Sequence, residues 1–189
     1  DRRQRQMCIR DSYNTAYQSY STVIGNRGKT RWQGHIVFGA TADTVMGSNG
    51  GQQCGLTSYN KQTTDATPTA IGTGSAYSAD TTRSVTMRSN TMFGFTISLV
   101  AGKTNGGDSA MWKYEGLMKC PGVSSSSIVG SVKKDRIAYD SGASSWDADV
   151  TVNTSGSLVL TVTGQASTTI RWLALSLIHI SEPTRLQQI

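Results

Sequence analysis

Apolar side chains recur at every second position in the middle of the chain, which is the period of a half-buried β-strand. In the segment 93–99 they occupy positions 93, 95, 97 and 99, and the segment 112–119 continues in the same style. Between the two, residues 104–108 read Thr-Asn-Gly-Gly-Asp and supply turn residues that tolerate positive φ. The pattern predicts a β-hairpin over these segments.

A second hairpin is predicted over 146–162. Trp146, Ala148, Val150 and Val152 alternate with polar residues, and a slip of one position would bury two carboxylates, so the register is well specified. Residues 154–156 turn the chain into an apolar strand at 158–162. Further strands are predicted at 169–174 and, more weakly, around 52–59, 83–88 and 127–138.

These elements predict an all-β fold. Residues 48–174 are expected to form a β-sandwich or jelly-roll-like module of about seven or more antiparallel strands. Residues 13–47 differ, because the runs 21–25 and 36–40 each place a Gly at or near the end of a short apolar stretch. This texture suits one coil of a β-roll or an ordinary strand and turn, and two instances do not establish a repeat. We therefore expect a stalk or connector here, either β-roll-like or irregular.

The two ends of the chain are related to each other at the level of DNA. Residues 7–12 can be encoded by ATG TGT ATA AGA GAC AG, and the reverse complement of that string translates as Leu-Ser-Leu-Ile-His-Ile, which is residues 175–180. We interpret 1–12 and 175–189 as translated arms of a transposase-type sequencing adapter, and expect 1–12 to be disordered. Both segments are excluded from the predicted module. The alternative is a basic arm and an apolar tail.

Charge and cysteine content narrow the function classes. The formal charge of +6 falls to +4 without the five Arg and three acidic residues of the end segments, and the remaining basic residues are scattered. A nucleic-acid groove needs a continuous basic track, so no nucleic-acid partner is expected. No run approaches the roughly 18 apolar residues of a membrane helix, so no membrane insertion is expected. Outside the end segments, Cys54 and Cys120 are too few for a thiolate zinc site, and whether they pair is left open.

The inventory for acid-base catalysis is thin. Outside the end segments it comprises one His, one Glu and eight Asp, namely His35, Glu115, Asp43, Asp65, Asp80, Asp108, Asp135, Asp140, Asp147 and Asp149. No Gly-x-Ser-x-Gly elbow accompanies His35, which we interpret as a structural or surface residue. Glu115 lies between Lys113 and Leu117 and is interpreted as part of a cross-strand charge pair on a solvated face. We therefore predict no catalytic, cofactor-binding or metal-binding residues.

Two other clusters have a functional and a structural interpretation. Asp147, Asp149 and Asn153 could offer oxygens to a calcium ion, but they lack the Gly and the terminal acidic residue of a calcium loop, so solubilising edge charges are favoured. The four Trp could form a sugar-stacking platform, but three of them occupy predicted strands. Core or interface packing is favoured for them.

An ordered series of segments resembles the C-terminal β-domain of tail-fibre and related structural proteins of tailed bacteriophages, which are common in environmental sequence. The series comprises 63–69, 112–117, 128–132, 146–151 and 164–174, and it covers about residues 50–174. In relatives this domain often follows Gly-punctuated β-roll repeats, which the stretch 21–40 resembles. The polar stretch 73–91 departs from the pattern.

The resemblance implies a non-enzymatic virion structural protein, a tail-fibre or receptor-binding module located in the phage tail. Its implied partners are two further copies in a homotrimer, other tail-fibre segments and a host surface glycan or protein. It carries over no site residues and no cofactor. The alternative is a carbohydrate-binding or adhesion module of an extracellular or cell-surface protein. The receptor, the phage, the oligomeric state and the true termini are left open.

Overall fold

A computed structural model describes residues 8–10, 14, 16, 20–40, 52–72, 85–86, 89–122, 125–153 and 156–181. The described chain is built almost wholly of β-strands, and one 3-10 turn is present at Ser141–Ala143. The prediction of an all-β fold is confirmed. The strands in chain order are β1 Cys8–Arg10, β2 Thr22–Asn26, β3 Ile36–Ala40, β4 Gln52–Thr63, β5 Thr69–Ile71, β6 Val85–Thr86, β7 Thr91–Lys103, β8 Ser109–Cys120, β9 Ser127–Ile128, β10 Lys133–Tyr139, β11 Asp147–Val152, β12 Ser157–Thr163 and β13 Ile170–Ser181.

The strands form two sheets. The large sheet has the order β1-β2-β3-β4-β13-β7-β8-β10, and the short β9 also pairs with β8. The small sheet has the order β11-β12-β5, and β6 also pairs with β12. Both predicted hairpins are present, with Leu99 opposite Trp112 in β7–β8 and Val150 opposite Leu160 in β11–β12. The predicted inward positions of β11 are buried or half-buried, and Asp149 and Thr151 are exposed.

The core lies between the small sheet and one face of the large sheet, which we call the inner face. Three tryptophans meet there, each almost fully buried: Trp112 of β8, Trp146 just before β11 and Trp172 of β13. The ring centroid of Trp172 lies 5.8 Å from that of Trp112 and 6.0 Å from that of Trp146. Aromatic pairs at this separation add to the stabilisation that area burial gives, so this cluster ties both sheets together.

Polar contacts close the sandwich along the side where β10 faces β11. The hydroxyl of Tyr114 donates to the carbonyl of Ala148 at 2.6 Å and so links the two sheets inside the core. Arg136 lies over the ring of Trp112, with its guanidinium 5.2 Å from the centroid, and donates to the carbonyls of Ala143 and Ser144. These bonds satisfy polar groups that the edge would otherwise leave unpaired.

The segment before the sandwich is ordered by parallel pairing. β2 pairs parallel with β3 and β1 pairs parallel with β2, and in both pairs the partner lies 14 residues further along the chain. Gly25 faces Gly39 at the tightest point, where a Cβ on Gly25 would lie 2.6 Å from the Gly39 carbonyl oxygen. Gly25 also has a φ of +93°, which favours glycine. We call residues 20–40 the stem; its pairing is that of a β-roll coil.

The last strand runs past the predicted boundary at residue 174. β13 continues without a break to Ser181 and pairs along its whole length with β4 on one side and β7 on the other. Ile178 and Ile180 are buried in the core, because the alternating apolar pattern of 170–174 carries on through 180. The pairing of these residues in a strand gives no information about the origin of the DNA that encodes them. The adapter origin of 175–180 therefore stays a prediction.

We expect Tyr114→Phe to lower the free energy of unfolding by about 1–2 kcal/mol, because it removes the buried hydrogen bond to Ala148 without opening a cavity. The matched control is Tyr139→Phe, since Tyr139 is 56% exposed. Urea unfolding followed by tryptophan fluorescence measures both changes. Equal stability losses in the two variants would contradict the assigned role of the Tyr114 hydroxyl.

Candidate functional site

The residues with acid-base potential do not converge. His35 lies in the stem, Glu115 lies in the middle of β8, and Asp147 and Asp149 lie on β11 in the other sheet. Asp43 and Asp80 fall outside the described residues. General acid-base chemistry needs two groups within hydrogen-bond reach of one reacting atom. Asp147 and Asp149 are neighbours that both bind Lys134, while His35 and Glu115 lie on other parts of the fold.

His35 is fully buried between the stem and β4. Its ring stacks on Trp32 with centroids 4.1 Å apart, and Trp32 Nε1 donates to Thr57 Oγ1 at 2.5 Å. The Arg31 backbone N–H donates to His35 Nδ1 at 3.4 Å, which places the ring proton on Nε2. Gly55 makes room for that nitrogen, because a Cβ there would collide with it. Burial, and secondarily the Arg31 charge, lowers the pKa of His35 to about 3, so the ring is neutral and acts as a packing residue.

Asp147 and Asp149, considered above as calcium ligands, bind a lysine instead. Lys134 Nζ of β10 lies 2.7 Å from a carboxylate oxygen of Asp147 and 2.8 Å from one of Asp149. The ammonium offsets one of the two negative charges and joins the edges of the two sheets. Among the described residues, no group of three or more His, Cys, Asp and Glu side chains could hold a metal ion.

Glu115 belongs to a charge ladder on the outer face of the large sheet, the face opposite the core. Its carboxylate lies 2.7 Å from Lys113 Nζ, and Lys133 of β10 is directly opposite it in register. The hydrogen bond and charge of Lys113 hold the pKa of Glu115 below its usual value. Asp135 lies opposite Lys113 in the same way. The ion pair of Glu115 thus lies within β8, and Lys133 adds a positive charge from the neighbouring strand.

The tryptophans and cysteines have structural positions. All four Trp are buried in one hydrophobic cluster, to which the stem contributes Trp32, so none forms an exposed sugar platform. Cys54 of β4 and Cys120 of β8 are both free thiols. In the described part of the chain, no helix has the length and apolar character to cross a membrane.

The outer face of the large sheet exposes apolar side chains at its stem end. Ile24 of β2 faces Phe38 of β3, while Ile36 of β3 faces Leu56 of β4, so four apolar side chains lie together on one surface. Three of them are about two-fifths exposed and Leu56 is half-buried. We call these four residues the stem patch. A contiguous exposed apolar surface of this kind marks an interaction site more often than chance.

A depression lies at the opposite edge of the same face. Val100 of β7, Met111 of β8 and Ala138 of β10 occupy one cross-strand row, and Ser109 and Asp140 follow at the strand ends. Together with Tyr139 they line a concave site of about 290 Å³, which we call the edge depression. Asp140 Oδ2 accepts from Ser109 N and Ser109 Oγ, both at 2.8 Å, and these bonds lower the pKa of Asp140.

Sequence reasoning identified neither of these two surfaces. The sequence shows the apolar runs at 21–25 and 36–40. The alternation does not show which face of these strands another element covers. The edge depression depends on a β-bulge between Arg136 and Ala138, which shifts Ala138 into register with Met111. No turn residue or charge pattern in 133–140 signals that bulge.

Comparison with solved structures finds likenesses to phage tailspike proteins. The crystal structure of tailspike gp49 from Acinetobacter baumannii bacteriophage Fri1, a capsular polysaccharide depolymerase, matches 77% of this chain and 20% of its own at 11% identity and a TM-score of 0.41. The tailspike of Acinetobacter phage vB_ApiP_P1 matches 76% and 23% at 14% identity and 0.32. That of Acinetobacter baumannii phage AM24 matches 88% and 34% at 7% identity and 0.36.

The chain thus spans from a fifth to about a third of the length of these tailspikes. No family model matches the chain, and no curated protein matches it either.

We expect the stability of the protein to depend on pH through His35. Its pKa is about 3 when folded and 6.5 when unfolded, so between these values only the unfolded chain binds the proton, and stability falls as the pH falls through this window. The slope is up to about 1.4 kcal/mol per pH unit. His35→Asn should flatten the curve by about one proton in urea titrations at fixed protein concentration. The exposed carboxylates contribute equally to both proteins, so only His35 should make their curves of unfolding free energy against pH differ. Parallel curves would contradict this prediction.

Proposed function

We propose that the chain is a non-enzymatic structural module of a phage tail, a tail-fibre or receptor-binding segment that contacts the host surface. The proposal rests on the resemblance of the ordered motifs, and one structural observation carries it further. A single hydrogen-bonded sheet runs from the parallel stem strands through β4 and β13 to the edge of the sandwich. Such continuity suits a fibre, which must transmit load from a stalk into a terminal module without a flexible joint.

The stem patch supports a homotrimer. Its four apolar side chains lie on the outer face, away from the small sheet, and no described element covers them. Closed symmetric association of identical chains covers such a surface and also protects open sheet edges. The stem patch lies at the end of the sheet where the parallel strands begin, which is where copies in a fibre would run side by side.

We expect light scattering after size-exclusion chromatography to give three times the mass of one chain at micromolar concentration. Phe38→Lys should shift the protein to a monomer while leaving the sandwich folded, because a charge at a buried contact is costly and Phe38 is already 40% exposed in one chain. The matched control is Ile137→Lys on β10, where Ile137 is 53% exposed and distant from the stem patch. A wild-type monomer, or equal effects of both variants, would count against the trimer.

The absence of catalysis is also a proposal, and the separation of the candidate acid-base groups supports it. Glu115 is partly exposed and paired with Lys113, while Asp147 is held by Lys134, so neither faces the other across a cleft. A glycosidase needs two carboxyl groups that converge on one bond.

We expect the chain to release no reducing sugar from bacterial capsule preparations, measured by a reducing-end assay. If activity is detected, Glu115→Gln and Asp147→Asn identify its source. Loss of a measurable cleavage rate in either variant, with the unfolding midpoint retained, would overturn the non-enzymatic assignment.

The second candidate function is a carbohydrate-binding or adhesion module of a cell-surface protein. The sandwich architecture favours it, because such folds carry recognition loops at their ends. Neighbouring genes discriminate the two: tail or baseplate genes beside this one favour the phage module, whereas secreted glycosidase domains upstream favour the adhesion module.

A further inference from the structure

The edge depression combines an apolar floor with one fixed carboxylate. Val100 and Met111 lie opposite each other in β7–β8, and Ala138 follows in the same row on β10. Leu173 of β13 extends the row on the other side of Val100, and it is exposed. The volume of about 290 Å³ lies at the lower end of the range for small-molecule sites, so it suits one compact group and not a polymer chain.

Asp140 supplies the polar contact at one end of this floor. Its Oδ2 atom is held by Ser109 N and Ser109 Oγ, so the carboxylate is oriented by two bonds. The bonds to Ser109 favour the ionised form, which is an acceptor only. The second oxygen is therefore available to accept from a ligand N–H or O–H donor beside the apolar row.

We propose that the edge depression is a subsite for an N-acetylated amino sugar, with the acetamido methyl group on the floor of Val100, Met111 and Ala138 and the acetamido N–H donating to Asp140. An acetamido group carries a methyl group and an N–H donor on one small unit, so it can contact an apolar row and an adjoining carboxylate at the same time. Tyr139 also lines the depression, and the Arg136 guanidinium lies 3.8 Å from its ring centroid.

This inference deepens the proposed function, since it names a ligand class for a host-contacting module. It concerns a different surface from the stem patch, because the patch lies on β2, β3 and β4, the depression is lined by β7, β8 and β10, and β13 lies between them in the large sheet.

The test follows the Met111 methyl resonance of the full chain by NMR during titration with N-acetylglucosamine, with glucose and glucosamine as comparators. We expect a saturable shift with a Kd on the order of 1 mM, and binding of glucose weaker by about tenfold or more. Equal binding of N-acetylglucosamine and glucose would overturn the acetamido assignment. The absence of a saturable shift would overturn the site.

Three variants sharpen the result. Asp140→Asn should weaken binding about tenfold, because the carboxylate acceptor is lost. Ala138→Leu should abolish binding by filling the floor, and it serves as the second test if Asp140→Asn perturbs the strand end. Asp135→Asn changes a carboxylate on the same strand outside the depression and should bind as wild type. A loss in Asp135→Asn equal to that in Asp140→Asn would refute the proposed contact.

Failure of this proposal and failure of the proposed function give different results. If no sugar binds but light scattering shows the trimer and its disruption by Phe38→Lys, the tail-module assignment stands alone. If the sugar binds and the protein is a monomer, the subsite stands and the adhesion-module alternative is favoured.

Discussion

The contact between the small sheet and the inner face of the large sheet is the constraint on which the rest of the molecule depends. Trp172 on the central strand β13 packs against Trp112 from the same sheet and Trp146 from the segment before β11. Truncation of a buried Trp typically costs about 3–5 kcal/mol, which is a large part of the stability of a domain this size. Once these rings are buried together, every long strand must turn its other side chains outward.

That outward set decides where function can lie. The tryptophans that could have formed a sugar platform are buried on the inner side of the large sheet. Lys134 and Arg136 of β10 close the edge of the sandwich. The outer face carries the stem patch on β2, β3 and β4, exposed leucines on the central β13, and the charge ladder and the edge depression towards the β10 edge. The recognition surfaces are thus a consequence of which side the small sheet covers.

Local patterns were reliable where both partners of a contact are close in the chain. The two hairpins and the inward positions of β11 followed from period-two alternation and turn residues, because a hairpin register is set within a few residues of its turn. The charged surroundings of Glu115 can also be predicted from the sequence, since Lys113 is two positions away. The sequence leaves His35 as either a structural or a surface residue, and its burial against Trp32 and Gly55 cannot be predicted locally, because Gly55 lies on another strand.

By itself, the sequence determined an all-β chain and its two hairpins, whereas the non-enzymatic role and the adapter origin of the two ends stay predictions. Tertiary structure alone decided the central place of β13, the parallel pairing of the stem and the alignment of Val100, Met111 and Ala138 in one row. The reason is that alternation specifies two faces for each strand but not which partner lies beside it or which face is covered. Those choices are made by contacts between residues far apart in the chain, where the burial of the whole sheet, and not any local preference, selects the pairing.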